Sequence, residues 1–499
     1  MSAPSVSDQH VLLSFPVLSD GGVAVGGNFR LKDAFEGIQI FGATGSGKSS
    51  GSGSALAKAF LKAGFGGLVL TVKNDERAAW ERYCEETGRS QHLLVFSPEN
   101  LHRFNFLQYE YGRDGRGGRQ TENIVNLFYT LIETYQRKRG GGKEDPYWEL
   151  ATKQLLRNAV DLLAIARNRV SLPELYDIIA SAPPTPLHCS PIRDDTPAEI
   201  ASKAYAWRET SLCYALLEEG SAKVERLPES DPRRWDFQVT MNYWTREFPA
   251  LDDRPRSSIV SIFTGMADCF LRGHLRELFC TTTNIVPEFT HEGLVILIDL
   301  PVKEFYEVGL FAQILFKYIW QRATERRDPR KGSPVFLWAD EAQFFANRHD
   351  MLFQTTARSA RASTVYLTQN LPNYQAVMGG EGNSSETYAF LGNLQTKIFH
   401  ANTDPTTNEW ASNLIGKGWQ FRAGSSSSLA QPNSLNSAAQ MTHGTSMSQL
   451  LEHDVLPAEF SRLRKGGDDN QCLVDAIVFQ GGRLWNNGQT YLRTFFVQE

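Results

Sequence analysis

Short apolar runs bounded by glycine, proline or polar residues recur in two parts of the chain and predict buried parallel strands. In the first part they are Ile38-Gln39-Ile40-Phe41, Gly67-Leu68-Val69-Leu70-Thr71-Val72 and His92-Leu93-Leu94-Val95-Phe96. Residues 293–300, 334–339 and 363–368 repeat the pattern in the second part. Segments with apolar positions three and four apart, at 54–60 and 308–322, predict helices between the strands. Strands and helices alternating at this spacing imply an α/β fold with a mainly parallel sheet.

The texture changes in between. From Tyr147 to Phe279 the periodicity is helical, with Leu155-Leu156, Ala159-Val160 and Leu162-Leu163 marking one face, and prolines punctuate the helices. The expected organisation is a first part of the α/β domain at 1–111, an inserted all-helical domain at 112–281, and the second part of the α/β domain at 282–499. Trp148, Trp207, Trp235 and Trp244 are expected in the core of the helical domain. Residues 1–37 read as an irregular lead-in with strand-like pieces at 11–15 and 22–25. Residues 472–479 and 490–496, around a Gly- and Asn-rich turn, predict a closing hairpin. Residues 424–448, rich in Ser, Asn and Gln, read as a mobile loop.

Composition narrows the function classes. The 499 residues are 41% hydrophobic, enough for more than one core, and the net charge of -5 gives no bulk basic signal for nucleic acid. A polyanion would have to be held by local features. Two Gly-rich basic stretches, 112–119 and 137–143, read most simply as solvated connections and otherwise as phosphate-backbone contacts. The six cysteines are scattered without zinc spacing, so a reducing compartment and no structural metal are expected. No leader and no run of eighteen apolar residues is seen, and the expectation is a cytoplasmic chain that does not span a membrane.

The candidate chemistry begins after the first strand, at Gly42-Ala43-Thr44-Gly45-Ser46-Gly47-Lys48-Ser49-Ser50. A strand, a glycine loop and a helix in that order cradle phosphates with backbone N–H groups and the helix dipole. Lys48 is expected on the β- and γ-phosphates of ATP and the Ser49 hydroxyl on Mg²⁺. A second apolar strand ends in Asp340-Glu341. A carboxylate at that position holds the Mg²⁺ shell and its neighbour polarises the attacking water, so Asp340 is assigned to Mg²⁺ and Glu341 to the water. The following strand ends in the polar pair Gln369-Asn370, suited to sensing the γ-phosphate. Before it, Arg358 and Arg361 are expected on one helix, three positions apart and near one face. Either offers an arginine to a nucleotide in an adjacent subunit, or a surface salt bridge.

With these residues placed, the chain resembles the type IV secretion coupling proteins, the TraD/TraG-like conjugative DNA-transfer ATPases of the FtsK–HerA clan. The resemblance covers most of 36–110 and 290–475. It rests on the glycine loop, Phe104-Asn105-Phe106-Leu107, Trp338-Ala339-Asp340-Glu341, and Arg358-Ser359-Ala360-Arg361 leading to Leu367-Thr368-Gln369-Asn370. Further on it takes in Lys397-Ile398-Phe399, Asn402, Thr407, Ser412, Leu414-Ile415-Gly416 and Leu456-Pro457-Ala458-Glu459-Phe460 with Gly466-Gly467. It implies a RecA-like P-loop ATPase domain carrying an all-helical domain, a homohexameric ring, and ATP-driven movement of DNA or a nucleoprotein. By the family's spacing the trans-acting arginine falls on Arg358 and the sensor role on Gln369.

The implied partners are DNA, a relaxase or other secreted protein cargo, and a membrane-anchored channel component, since the family's usual transmembrane helices are not seen and the chain would sit peripherally at the inner membrane. In place of the family's Asp-Pro-Lys-Gly run stand Thr71-Val72-Lys73-Asn74-Asp75, where Lys73 alone fits. Two other readings compete: a HerA-like translocase working with a nuclease, and a nucleotide-gated platform that recruits protein cargo.

Overall fold

Strands form where the apolar runs predict them. The computed structural model describes residues 7–19, 22–115, 117–138, 146–194, 196–379, 384–430 and 440–498. Residues 139–143 of the second basic stretch and 431–439 of the Ser/Asn/Gln-rich stretch lie outside them. In chain order the strands are β1 (Val11–Ser19), β2 (Gly22–Arg30), β3 (Ile38–Phe41), β4 (Gly66–Leu70), β5 (Leu93–Phe96), β6 (Val295–Ile298) and β7 (Val335–Ala339). They continue with β8 (Ala362–Thr368), β9 (Thr396–Phe399), β10 (Lys417–Ala430), β11 (Gln440–His453), β12 (Leu473–Gln480) and β13 (Tyr491–Val497).

The chain divides into two compact units. One comprises Phe60–Val365 and Gln375–Asn393; the other comprises Ser7–Ala59, Tyr366–Tyr374 and Leu394–Glu499. β8 gives its first four residues to the former and its last three to the latter.

In the first unit, β4 is paired in parallel with β7 on one side and β6 on the other, and β5 pairs in parallel with β6. The start of β8 lies next to β7. Every residue of β4, β6 and β7 is buried, as expected of strands covered on both faces. Two glycines make the centre possible. A Cβ on Gly66 would fall 1.9 Å from the Thr290 carbonyl oxygen, and one on Gly67 would fall 2.4 Å from the Phe336 ring. The helix Val302–Arg326, interrupted at Tyr306, buries Phe311, Leu315, Phe316 and Ile319.

Between β5 and β6 the elements of the same unit, among its described residues, are helices joined by turns, from Phe106–Gly112 to Gly273–Phe279. Helix Pro146–Arg167 is central there. It packs on Thr121–Lys138, Leu212–Val224 and Pro232–Asn242 through a stripe that includes Leu155, Val160 and Leu163. Of the four tryptophans expected in this core, Trp244 is fully buried, and Trp148 and Trp207 are half-buried. Trp235 is 72% exposed, because its helix turns Phe237 and Thr240 inward instead.

In the second unit β3 pairs in parallel with β9, while β9–β12 and β12–β13 are antiparallel. The end of β8 lies next to β3. The predicted closing hairpin is thus β12–β13, joined to the glycine-loop strand through β9. The lead-in is more regular than expected: β1 and β2 pair along their length, and Phe15 packs edge-on to Trp485 and Phe496. β10 and β11 form a separate two-stranded ribbon, in register from Lys417↔His453 to Ala430↔Gln440, where a mobile loop was expected. Polar composition reports that these residues cannot fill a core. A ribbon needs none, since its ladder satisfies backbone groups while its side chains stay in water.

Candidate functional site

The second unit holds the glycine loop. The Gly42 N–H donates to the Thr368 carbonyl (3.2 Å) and the Ala43 N–H to the Ala401 carbonyl (2.9 Å), so the loop leaves β3 tied to the ends of β8 and β9. Gly45 (φ 71°) and Gly47 (φ 79°) take left-handed backbone that glycine adopts without steric cost. A Cβ on Gly47 would also fall 2.5 Å from Val474 Cγ2. The chain then enters a wide turn over Lys48–Gly53, with the Gly51 N–H 2.7 Å from the Gly47 carbonyl, and runs into helix Ser54–Lys62.

Thr44 and Gly45 are exposed, Ser49 and Ser50 half-buried, and Lys48 and Ser46 buried. The Ser46 hydroxyl is buried with no hydrogen-bond partner among the described residues, an orphan polar atom inside the cradle that an anion would satisfy. The loop fits a nucleotide phosphate.

Residues distant in sequence hold this loop. His400, at the end of β9, places Nε2 2.7 Å from Ser52 Oγ and Nδ1 2.9 Å from the Asp475 carbonyl. Gln498 donates from Nε2 to Ser50 Oγ (3.1 Å) and accepts the Gly467 N–H at Oε1 (2.7 Å). Asn402 donates to the carbonyl of half-buried Gln369 (2.8 Å), fixing its backbone, and the Leu371 N–H donates to Thr407 Oγ1 (2.8 Å). Asn402 and Thr407 entered the sequence reading through the resemblance; His400 and Gln498 carried no signal.

The first unit holds the acidic pair. Asp340 follows β7 directly and accepts the Glu341 N–H at Oδ1 (2.9 Å), while Glu341 sits in left-handed backbone (φ 53°). Both side chains are buried. Lys73 Nζ lies 3.5 Å from Asp340 Oδ2 and 3.6 Å from Glu341 Oε1, and Gln343 Nε2 donates to Glu341 Oε2 (2.9 Å). The sequence reading missed Glu76. Its carboxyl accepts the Val72 N–H (3.2 Å) and the Lys73 N–H (3.1 Å), folding the Lys73 loop back on its own helix.

The electrostatics follow from three carboxyls around one ammonium. Burial, reinforced by Asp340, pushes Glu76 well above the usual carboxylic range. Burial pulls the Lys73 ammonium down, but Asp340, Glu341 and Glu76 outweigh it and raise the group. The cluster favours charge on Lys73 and disfavours it on Glu76.

Arg358 and Arg361 do not share a helix face. The helix Arg348–Ala357 has ended at Arg358, and Arg361 lies beyond it in left-handed backbone (φ 52°). The Arg361 N–H goes to the Arg358 carbonyl (3.1 Å), and the Arg327 guanidinium donates to the carbonyls of Ala360 (2.7 Å), Arg361 (3.0 Å) and Ser333 (2.9 Å). Arg358 is exposed and Arg361 half-buried. Among the described residues no helix is long and apolar enough to cross a membrane.

Residues 334–460 match the family model described as the TraM recognition site of TraD and TraG. No curated protein matches the chain. Among solved structures, the bacterial conjugative coupling protein TrwBdeltaN70 in its unbound monoclinic form has a TM-score of 0.56 at 14% identity, over 100% of this chain and 97% of its own. TrwB solved with the non-hydrolysable ATP analogue ADPNP gives the same values, a TM-score of 0.56 at 14% identity over 100% and 97%. TrwB solved with ADP and Mg²⁺ gives 0.56 at 13% identity, over 100% of this chain and 96% of its own. The fold is the RecA-like P-loop NTPase fold with a helical domain seen in the conjugative coupling protein TrwB, and its 334–460 segment matches the TraM recognition site of TraD and TraG.

Proposed function

We propose that this chain is an ATPase that works as a ring of six subunits and moves DNA or a nucleoprotein in the manner of a conjugative coupling protein. The observation that carries the reading is the glycine loop: left-handed Gly45 and Gly47, buried Lys48 and an orphan Ser46 hydroxyl in one cradle. A fold shared with a protein solved with ADPNP and with ADP and Mg²⁺ supports it.

Each residue then has a task. Backbone N–H groups of 44–45 and 47–50 would take the phosphates, with Lys48 adding a fixed positive charge and Ser49 and Asp340 available as Mg²⁺ ligands. The bound Mg²⁺–ATP supplies an electrophilic γ-phosphoryl group. Glu341 orients the attacking water and accepts its proton. Gln369 reports the γ-phosphate to the chain that follows it, and Arg358 acts on the nucleotide of an adjacent subunit.

The helical segment 112–281 is a domain inserted between the two parts of the ATPase domain, 1–111 and 282–499. The TraM recognition match supports a protein partner from the DNA-processing side of transfer, a relaxase or its accessory, and a membrane-anchored channel component would recruit the ring to the inner membrane from the cytoplasm. Phosphate release measured with no DNA, single-stranded DNA and duplex DNA, alongside oligomer mass, tests the reading. Turnover raised by DNA in a ring supports it. Turnover indifferent to DNA and raised only by a protein partner overturns the motor.

A further inference from the structure

Lys317 and Asp350 form an ion pair with no solvent exposure on either side chain. Lys317 Nζ lies 2.5 Å from Asp350 Oδ2 and 2.6 Å from the Phe345 carbonyl. Asp350 is further bound by Gln321 Nε2 (2.7 Å) and the Asn347 N–H (2.9 Å), and Asn347 Oδ1 caps the following helix at His349 N and Asp350 N. A buried pair of this kind adds little net stability over packed apolar side chains, because desolvating two charges offsets their attraction. Its effect is geometric.

The chain that Lys317 grips begins at Glu341. After that left-handed residue come a tight turn, with Phe344 N–H to the Glu341 carbonyl (3.1 Å) and Phe345 N–H to the Ala342 carbonyl (2.9 Å), and then Phe345 itself. β7 holds the near end of this turn. Lys317 and Asp350 hold the far end, at Phe345 and Asn347. A glutamate in left-handed backbone persists where its surroundings over-determine it, and these two anchors supply that constraint.

We propose that the Lys317–Asp350 pair is a positioning device for the catalytic turn: it sets where the Glu341 carboxylate stands relative to the attacking water without touching nucleotide. This rests on the reading of Glu341 given above. Small displacements of a catalytic group lower turnover while leaving ground-state binding intact.

The test is the double substitution Lys317→Met/Asp350→Leu in the full chain, which removes both charges together. Turnover is measured as kcat and KM, nucleotide affinity with a fluorescent ATP analogue, and folding by thermal midpoint. The expected result is a lowered midpoint, because the Phe345 carbonyl, Gln321 Nε2 and the Asn347 N–H lose these partners, with affinity and KM within about twofold and kcat lower by about tenfold to a hundredfold. Parental kcat in a folded ring overturns the proposal, as does equal loss of affinity and kcat. If the double variant does not fold, Gln321→Met removes one anchor of Asp350 conservatively and should lower kcat by a few fold at unchanged KM; unchanged kcat again overturns it. Glu341→Gln in the same assay separates the two claims. An inactive Glu341→Gln beside an unimpaired double variant rejects only the positioning role, whereas an active Glu341→Gln rejects the assignment on which it stands.

Discussion

His400 Nε2 lies 2.7 Å from Ser52 Oγ, and its other ring nitrogen faces a carbonyl oxygen, that of Asp475, which only accepts. The proton must therefore sit on Nδ1, and Nε2 must accept the Ser52 hydroxyl. A neutral imidazole of one defined tautomer thus buttresses the turn that follows Lys48. Burial lowers the group to about 4, the Asp475 hydrogen bond opposes this, and the Lys48 charge adds to it.

A pH dependence follows. The folded state resists protonation of His400 down to about pH 4, whereas the unfolded chain protonates near pH 6.5. Between those limits the unfolded state binds more protons, so stability is highest above about pH 6.5 and falls as pH drops, by about 3 kcal/mol for this group. His400→Gln should flatten that fall by about that amount, read from urea unfolding at a series of pH values. An unchanged slope would place the titration elsewhere, in His291 or His349, which burial also lowers to about 4.

Lys48 and Glu341 should separate binding from chemistry. Lys48→Ala is expected to weaken nucleotide affinity by at least about tenfold. Glu341→Gln should bind as the parent does yet lose about 10²–10⁴ in turnover. Fluorescent-nucleotide titration with phosphate release checks both, and equal loss of affinity in the two variants would contradict the assigned roles.

Arg358 should act across a subunit boundary. Rings mixed from Arg358→Ala and Glu341→Gln subunits are expected to regain part of the activity each lacks alone. No recovery in rings of full mass would argue against action in trans. Arg327 supports the same segment by a separable route: Arg327→Ala removes the donors to the Ala360 and Ser333 carbonyls, while the Arg361 carbonyl keeps the Val335 N–H, and should cost about 3 kcal/mol of stability, measured by denaturant unfolding.

Gly47 is limited twice, by its φ of 79° and by Val474 Cγ2 at 2.5 Å from where a Cβ would stand. Gly47→Ala should destabilise the chain by about 2 kcal/mol and abolish nucleotide binding. Adding Val474→Ala should return part of the stability, since it removes the clash, but not the binding, since the loop's backbone remains distorted. Recovery of both would mean that the clash alone matters.

What the sequence makes legible is local chemistry. Strand, glycine loop and helix at 38–60, and the apolar strand ending in Asp340-Glu341, are contiguous signals, and the structure has strands at both. The supports are not contiguous. His400 is an ordinary strand-end residue until it is seen 348 positions away beside Ser52. Lys317 interrupts an apolar helix without a nearby carboxylate to pair with in sequence. Glu76 reads as a first-turn acid, and only the fold shows it drawn back onto the Lys73 loop. Arg361 departs from the predicted helix because its N–H bonds the Arg358 carbonyl in a closing turn, with β8 starting one residue later. The β10–β11 ribbon escaped because composition measures what can be buried, whereas strand pairing depends on register.

Ser50 and Gln498 are joined across 448 positions, and Val474 seats against Gly47 from a strand equally late in synthesis. The ribosome delivers the glycine loop more than four hundred residues ahead of these braces. During translation the loop waits without support until β12, β13 and Gln498 have emerged, so this unit completes only after the long stretch between loop and braces has been made. Nascent chains arrested before β12 carry every glycine of the loop and lack the framework that shapes it.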